Sequence, residues 1–341
     1  MGITAQARLR HVDAFLRTRG LQAAALEQTL RARTGDARHF LVTSSPVHGL
    51  ANATSDVDFI RIQRAPLSGA RMATQIFEGP HHLEAVSFCD DEVDSALADL
   101  TELAAAPPRE VVLGHRAWDK RHELRRKYLE RLVNGVALDR TLPYEDRLPQ
   151  LARVWKWSSL HTAAEQVFFL ALAEAAGEER GRAGYAANAL LHLMDAVLSH
   201  HGDVYSNRKW YLLRWTRLRA ELPGKDPLLT AVDALRTHVT EALAGKVQGP
   251  LTPAFTELLT KVYADAGEGH KPSLAVESAS DAVRRRFLPG ADMVLGAAAG
   301  FLGPEPLPTG EISLSQPPAD CARPADLLRA ARVGAVRLLP A

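Results

Sequence analysis

Two carboxylates one residue apart, Asp56 and Asp58, open the apolar run Val57-Asp-Phe-Ile60. In an extended chain alternate residues share a face, so both acids project together while Val57 and Phe59 pack on the other side. Carboxylates held side by side repel unless a cation lies between them. Oxygen donors at this spacing suit magnesium, which takes one or two carboxylates plus substrate phosphates. Taken alone, an Asp-X-Asp is more simply a solvated turn entering a strand. A third acid, Glu84, lies near the start of another strand-like run, His82-Leu-Glu-Ala-Val-Ser-Phe88. Set beside the first strand, it reaches the same metals, and two magnesium ions then stabilise the attacking and leaving oxygens of a phosphoryl transfer. Upstream, Ser45-Pro46 combines a favoured N-cap with a favoured first helical residue. A strand ending near Thr43 should therefore pass into a very short helix closed by Gly49, whose amides and dipole attract phosphate.

These residues need elements to hold them. Apolar positions at helical spacing run through residues 5–33, with Gly20 an interruption. Strands are expected near 39–44, 56–63, 71–78 and 82–88, then a helix over 91–104 that stops before Pro107-Pro108. From about 116 to 267 the chain reads almost wholly as helix: 115–133, 146–176, 183–201, 207–222, 226–244 and 252–266. The tail is richer in Gly and Pro, with helices expected at 278–287 and 324–332 and an edge strand at Glu311–Leu314. The implied fold class is α+β: an N-terminal domain with a small mixed sheet (1–114), an all-α helical domain (115–267) and a small C-terminal extension of unassigned fold (268–341).

Composition narrows the chemistry. The 341 residues carry 41 Lys+Arg against 40 Asp+Glu, without the basic excess of a chain that tracks a nucleic-acid backbone. Two cysteines, Cys89 and Cys321, make neither a disulfide framework nor a cysteine zinc site and suit a reducing compartment. The first residues lack an apolar signal core, and the most apolar run, Val167 to Ala173, is too short to span a bilayer. The expectation is a cytoplasmic protein with no membrane partner.

Ser44-Ser45, Pro46-Val47-His48, Gly49, five residues and Ser55-Asp56-Val57-Asp58 follow one another in a recognisable order. Leu83-Glu84-Ala85-Val86 comes next, then Cys89-Asp90-Asp91-Glu92-Val93. Over residues 38–104 this pattern resembles the nucleotidyltransferase superfamily that includes polymerase-beta-like and aminoglycoside nucleotidyltransferases. The resemblance implies a catalytic domain in which Asp56, Asp58 and Glu84 bind two magnesium ions. Ser44, Ser45, Gly49 and Ser55 would form the phosphate-binding segment. The co-substrate would be a nucleoside triphosphate, ATP by expectation, and the acceptor a hydroxyl on a small molecule. A protein side chain is the alternative acceptor, and a degenerate nucleotide-binding module the alternative to an enzyme. One departure stands out: the family has glycine where this chain has Ser44, and glycine lets backbone approach a triphosphate closely.

Beyond that span, Ala189 to Trp210 looks like the helical domain that often follows this module, and Lys209 or Arg208 would clamp the triphosphate. The blander role for both cations is solvation beside a Trp210 anchor. His161 and Glu165, one helical turn apart, include a candidate general base but read more simply as a surface contact. His81-His82 and His200-His201 read as polar residues near element ends, and Arg284–Arg286 as a solvated helix face. Gly296 to Gly303 is set aside as a dinucleotide fingerprint because no strand is expected before it.

Overall fold

The computed structural model describes residues 4–340, except 53, 68–72, 223, 225, 247, 266–272, 279–282, 289–290, 296–299, 304–309 and 314–323. The chain forms two compact units, one of residues 1–156 and 198–218, the other of 157–197 and 219–341.

The first unit is built on a five-stranded mixed sheet in the order β3-β4-β2-β1-β5. The strands are β1 (His39–Val42), β2 (Val57–Gln63), β3 (Thr74–Glu78), β4 (His81–Cys89) and β5 (Val136–Ala137). β1 and β2 are antiparallel, β2 and β4 parallel, β3 and β4 antiparallel. Strand alternation sorts the side chains into two faces. On one face Phe40, Val42, Val57, Phe59, Ile76, Leu83 and Ala85 form a core with Val12, Phe15 and Leu16 of α1 (Ala5–Thr18) and Leu26 and Leu30 of α2 (Ala23–Thr34). Truncating Phe59, 1% exposed, would cost about 3–5 kcal/mol. On the other face Leu41, Ile60, Ile62, Val86 and Phe88 are buried, and the Phe88 ring meets Tyr128 at 5.4 Å. Tyr128 belongs to α5 (Arg126–Asn134), which follows α3 (Asp90–Ala105) and α4 (Pro108–Arg121).

α3 begins where β4 ends because its first turn carries Asp90, Asp91 and Glu92, which suit the positive helix end. Glu92 also accepts from the Cys89 amide at 3.0 Å. Cys89 is a buried free thiol; Cys321 lies outside the described residues. Pro108 opens α4 at N1, where its missing amide costs nothing. The expected helix over 115–133 is therefore two, α4 and α5. The Trp118 indole donates to Leu124 O at 2.9 Å across the break. The two-residue strand β5 falls between the helices expected over 115–133 and 146–176, where the sequence reading placed no strand. It forms because β1 offers an open edge, pairing Leu41 with Ala137 and Val42 with Val136.

The second unit takes most of α6 (Leu148–Ala175) and α7 (Glu179–His200), the end of α8 (Tyr211–Glu221), then α9 (Pro227–Leu243) and α10 (Thr252–Asp265). Glu174 secures the start of α10 by accepting from Thr252 Oγ1 at 2.7 Å. The tail holds strands β6 (Ser273–Ser278), β7 (Val283–Leu288), β8 (Ala291–Leu295), β9 (Gly300–Gly303), β10 (Gly310–Ser313) and β11 (Val336–Pro340), with α11 (Pro324–Arg332). They make two three-stranded sheets, β10-β6-β11 and β7-β8-β9. Of the helix expected over 278–287, residue 278 and residues 283–287 are strand, while 279–282 lie outside the described residues; Arg284–Arg286 lie on β7, where cross-strand pairing with β8 overrides helical spacing. A strand, β8, does precede Gly296, contrary to expectation; residues 296–299 lie outside the described residues, and the next described element is β9. Among the described residues no helix is long and apolar enough to cross a membrane.

Candidate functional site

β2 and β4 run side by side in parallel, and their register places Asp58 directly opposite Glu84. Opposed residues in a sheet share a face, so the two acids project together, as the sequence pattern requires. One step along, Asp56 stands just before β2 and its Oδ1 lies 3.1 Å from His82 Nδ1. On the outer side β3 sets Gln75 opposite Glu84 and Phe77 opposite His82. Asp56, Asp58, His82, Glu84, Gln75 and Phe77 therefore line one end of one sheet face. Farther along the same face Ile60, Val86 and Phe88 are buried.

Each carboxylate has a neighbour of its own. Arg131 of α5 brings Nη1 to 3.8 Å from Asp58 Oδ2, with both side chains about a quarter exposed (27% and 25%). Glu84 Oε2 accepts from Gln75 Nε2 at 3.5 Å, and His82 Nε2 lies 2.7 Å from Gln75 Oε1. Among the described residues no three His, Cys, Asp or Glu side chains are grouped to hold a metal ion. The backbone register suits a two-carboxylate cation site, and magnesium held partly by substrate phosphates needs no third protein ligand. The side chains as placed, however, are engaged by Arg131, Gln75 and His82. Sequence spacing did not reveal Arg131, because it comes from a helix 73 residues beyond Asp58 with no local motif.

The segment after β1 departs from expectation. Residues 45–49 form successive turns, not a helix. Val47 N donates to Ser44 O (3.2 Å), Gly49 N to Pro46 O (3.1 Å) and Leu50 N to Ser45 O (2.9 Å), so these amides are engaged within the loop. Two left-handed residues bracket it, Ser44 (φ 64°) and Gly49 (φ 61°). The strain at Ser44 falls where the resembling family has glycine. Its side chain is buried and its hydroxyl finds no hydrogen-bond partner. Ser55 is turned into its own loop, donating from Oγ to Asn52 Oδ1 at 2.9 Å.

What holds the loop is a buried polar cluster. The His48 ring stacks on Tyr205 (centroids 4.2 Å apart, 13° between planes), and His48 Nδ1 lies 3.7 Å from Asp203 Oδ1. Arg217 donates to His48 O at 2.7 Å. Arg214, fully buried, donates to Asp203 Oδ2 at 3.1 Å and also to the carbonyls of Asp203 and Tyr205. Burial pushes the Asp203 carboxyl up, but the Arg214 charge and the His48 contact outweigh it and hold it well below the usual carboxylate range. Burial pushes the His48 imidazole down against the pull of Asp203. Glu130 of α5 accepts from Ser206 N at 2.8 Å, so α5 supports both this segment and, through Arg131, Asp58.

Lys209 is exposed, its Nζ 5.0 Å from the centroid of the Trp210 ring. Arg208 is likewise exposed. His161 and Glu165 belong to the second unit and are interior, 3% and 16% exposed with 3.6 Å between Nε2 and Oε1, which corrects the reading of a surface contact. Their helix, α6, also carries Ser159, whose hydroxyl donates to Asp195 of α7 at 2.8 Å. His200 and His201 meet edge to face at 5.2 Å.

Fold and site define an α+β protein whose mixed sheet presents a paired acidic register beside a strained turn. The whole chain, residues 1–341, matches the profile of a family of unknown function, DUF6001, and the protein belongs to that family. No curated protein matches the chain. Among solved structures, the nucleotidyltransferase-like protein from Exiguobacterium sibiricum 255-15 is similar over 83% of this chain and 99% of its own. Its identity is 10% and its TM-score 0.31, a likeness too loose to carry an argument.

Proposed function

We propose that the first unit is a nucleotidyltransferase module that moves a nucleoside monophosphate from a nucleoside triphosphate to a hydroxyl of a small-molecule acceptor, releasing pyrophosphate. The observation that carries this reading is the register of Asp58 against Glu84, with Asp56 two residues upstream, on strands that follow the Ser44-to-Gly49 turn. Asp58 and Glu84 are the residues that would hold magnesium, with Asp56 adjoining. When bound, that ion neutralises phosphate charge. Arg131 and His82 are the groups that must give way, or turn to the phosphates, for the acids to serve. The near-zero net charge of +1 favours a small acceptor over nucleic acid, and a protein hydroxyl is the remaining alternative.

A second reading is a nucleotide-binding module without transfer. It is favoured by the Arg131–Asp58 contact at 3.8 Å and by Ser44 in a left-handed conformation at a glycine position. One screen separates the two. Thermal shifts are measured with the four common nucleoside triphosphates, with and without magnesium, on wild type and Asp58→Ala, and pyrophosphate release is followed over a panel of hydroxyl acceptors. A metal-dependent shift lost in the variant, with pyrophosphate release, supports transfer; the shift without release under any acceptor supports binding alone. No shift in wild type refutes both.

A further inference from the structure

Among the described residues four large hydrophobic side chains are exposed. Leu212, Leu213 and Leu243 lie on helices; Phe77, 72% exposed, lies on the sheet. Single exposed apolar residues are ordinary, so exposure alone decides nothing. Position does. β3 is the outer strand of its sheet, and its one buried residue, Ile76, faces the core. Phe77 therefore points to the opposite face, the one that carries Asp58 and Glu84. Its ring lies 5.1 Å from that of His82, tilted 32°, and His82 in turn touches Asp56 at 3.1 Å. The cross-strand rows are Phe77 opposite His82 and then Gln75 opposite Glu84, with Asp58 next on β2. Two strand spacings across and two residues along put Phe77 roughly 12 Å from Asp58. That span suits a mononucleotide with its triphosphate at the acids and its base at the aromatic ring.

We propose that Phe77 is the stacking platform for the base of the nucleotide. The assignment rests on the nucleotide-binding reading above and extends it to the residue that takes the base. Stacking on an aromatic face is sequence-tolerant because every base has such a face. The site should therefore discriminate weakly among the four bases, and Phe77 should contribute to all of them.

The test compares wild type, Phe77→Ala and Phe77→Trp by titration calorimetry with magnesium and each of the four nucleoside triphosphates, and with magnesium and inorganic tripolyphosphate. The expected result is an affinity loss of about tenfold for every nucleotide in the alanine variant. Tripolyphosphate binding stays unchanged and tryptophan restores the nucleotides. Nucleotide affinity in Phe77→Ala equal to wild type overturns the platform while leaving the nucleotide site standing. An equal loss for tripolyphosphate also overturns it, since the change would then be structural. A concentration-dependent sedimentation coefficient abolished by Phe77→Ala would assign the ring to an interface between copies and overturn it too. Wild type that binds none of these probes fails the underlying reading and the platform together.

Discussion

Removing the Asp203 carboxylate takes the acidic partner at 3.1 Å from a fully buried guanidinium. Arg214 is 0% exposed, and its side chain faces Asp203 Oδ2 at 3.1 Å with two backbone carbonyls. Carbonyl dipoles alone do not neutralise a full charge shut away from water. Breaking a buried ion pair from one side costs about 3–5 kcal/mol. At roughly 2–4 °C per kcal/mol, Asp203→Ala should lower the melting temperature of the first unit by on the order of 10 °C. Asp203→Asn should fall nearly as far, because the amide keeps the shape and loses the charge. The double variant Asp203→Leu/Arg214→Met should recover most of the loss, since a buried pair exchanged for apolar side chains of similar volume is close to neutral. The assay is urea unfolding followed by circular dichroism, with the slope checked so that midpoints compare like states. Asp203→Ala within about 1 kcal/mol of wild type would refute the reasoning, for it would mean that water reaches Arg214. A double variant no more stable than the single would refute the pairing argument itself. Because His48 packs against Asp203 and Tyr205, the same single variant should expose the 44–50 turn to faster amide exchange.

Three further outcomes follow from the same geometry. Burial holds the His115 imidazole down to about 3, against an ordinary 6.5. The unfolded chain therefore binds the proton more readily between those values. Stability should be full above pH 6.5 and fall by about 1.4 kcal/mol for each pH unit below it. His115→Phe should flatten that part of a stability–pH profile, and an unchanged slope would count against the buried neutral ring. Ser44→Gly relieves a left-handed serine and removes a buried hydroxyl without a partner, and should raise stability by about 1 kcal/mol in the same unfolding assay; a decrease would contradict it. Gly49→Ala should cost about 2 kcal/mol, because φ is 61° there and a Cβ would sit 2.8 Å from the His11 ring; unchanged stability would show that ring free to move.

Much of the sheet was legible in the sequence because its signals are local. Alternation in Val57–Ile62 and Leu83–Phe88 marked two strands, and the acids at 56, 58 and 84 stood out against them. The helix expected over 91–104 is α3, ending before Pro107-Pro108 as expected, but Pro108 also opens α4, seven residues before the start expected at 115. Errors came where a partner distant in sequence decides the state. β5 exists because β1 has an edge to fill, and Arg284–Arg286 are strand because β8 pairs with them. The Ser45-Pro46 signal was sound as a turn start. Tertiary contacts to His48 and the left-handed Gly49 then stopped it short of a helix.

Residue types and their spacing alone determined that two acids share a strand face and that a third lies on another strand near its start. Alternation of side chains is a property of the extended backbone and needs no partner. Only the tertiary structure decided that the strands are parallel neighbours in a register setting Asp58 against Glu84, that Arg131 and His82 attend those acids, and that Asp203 and Arg214 anchor the turn beside them. Those choices depend on which surfaces bury against which, a comparison of long-range packing that no local window of sequence contains.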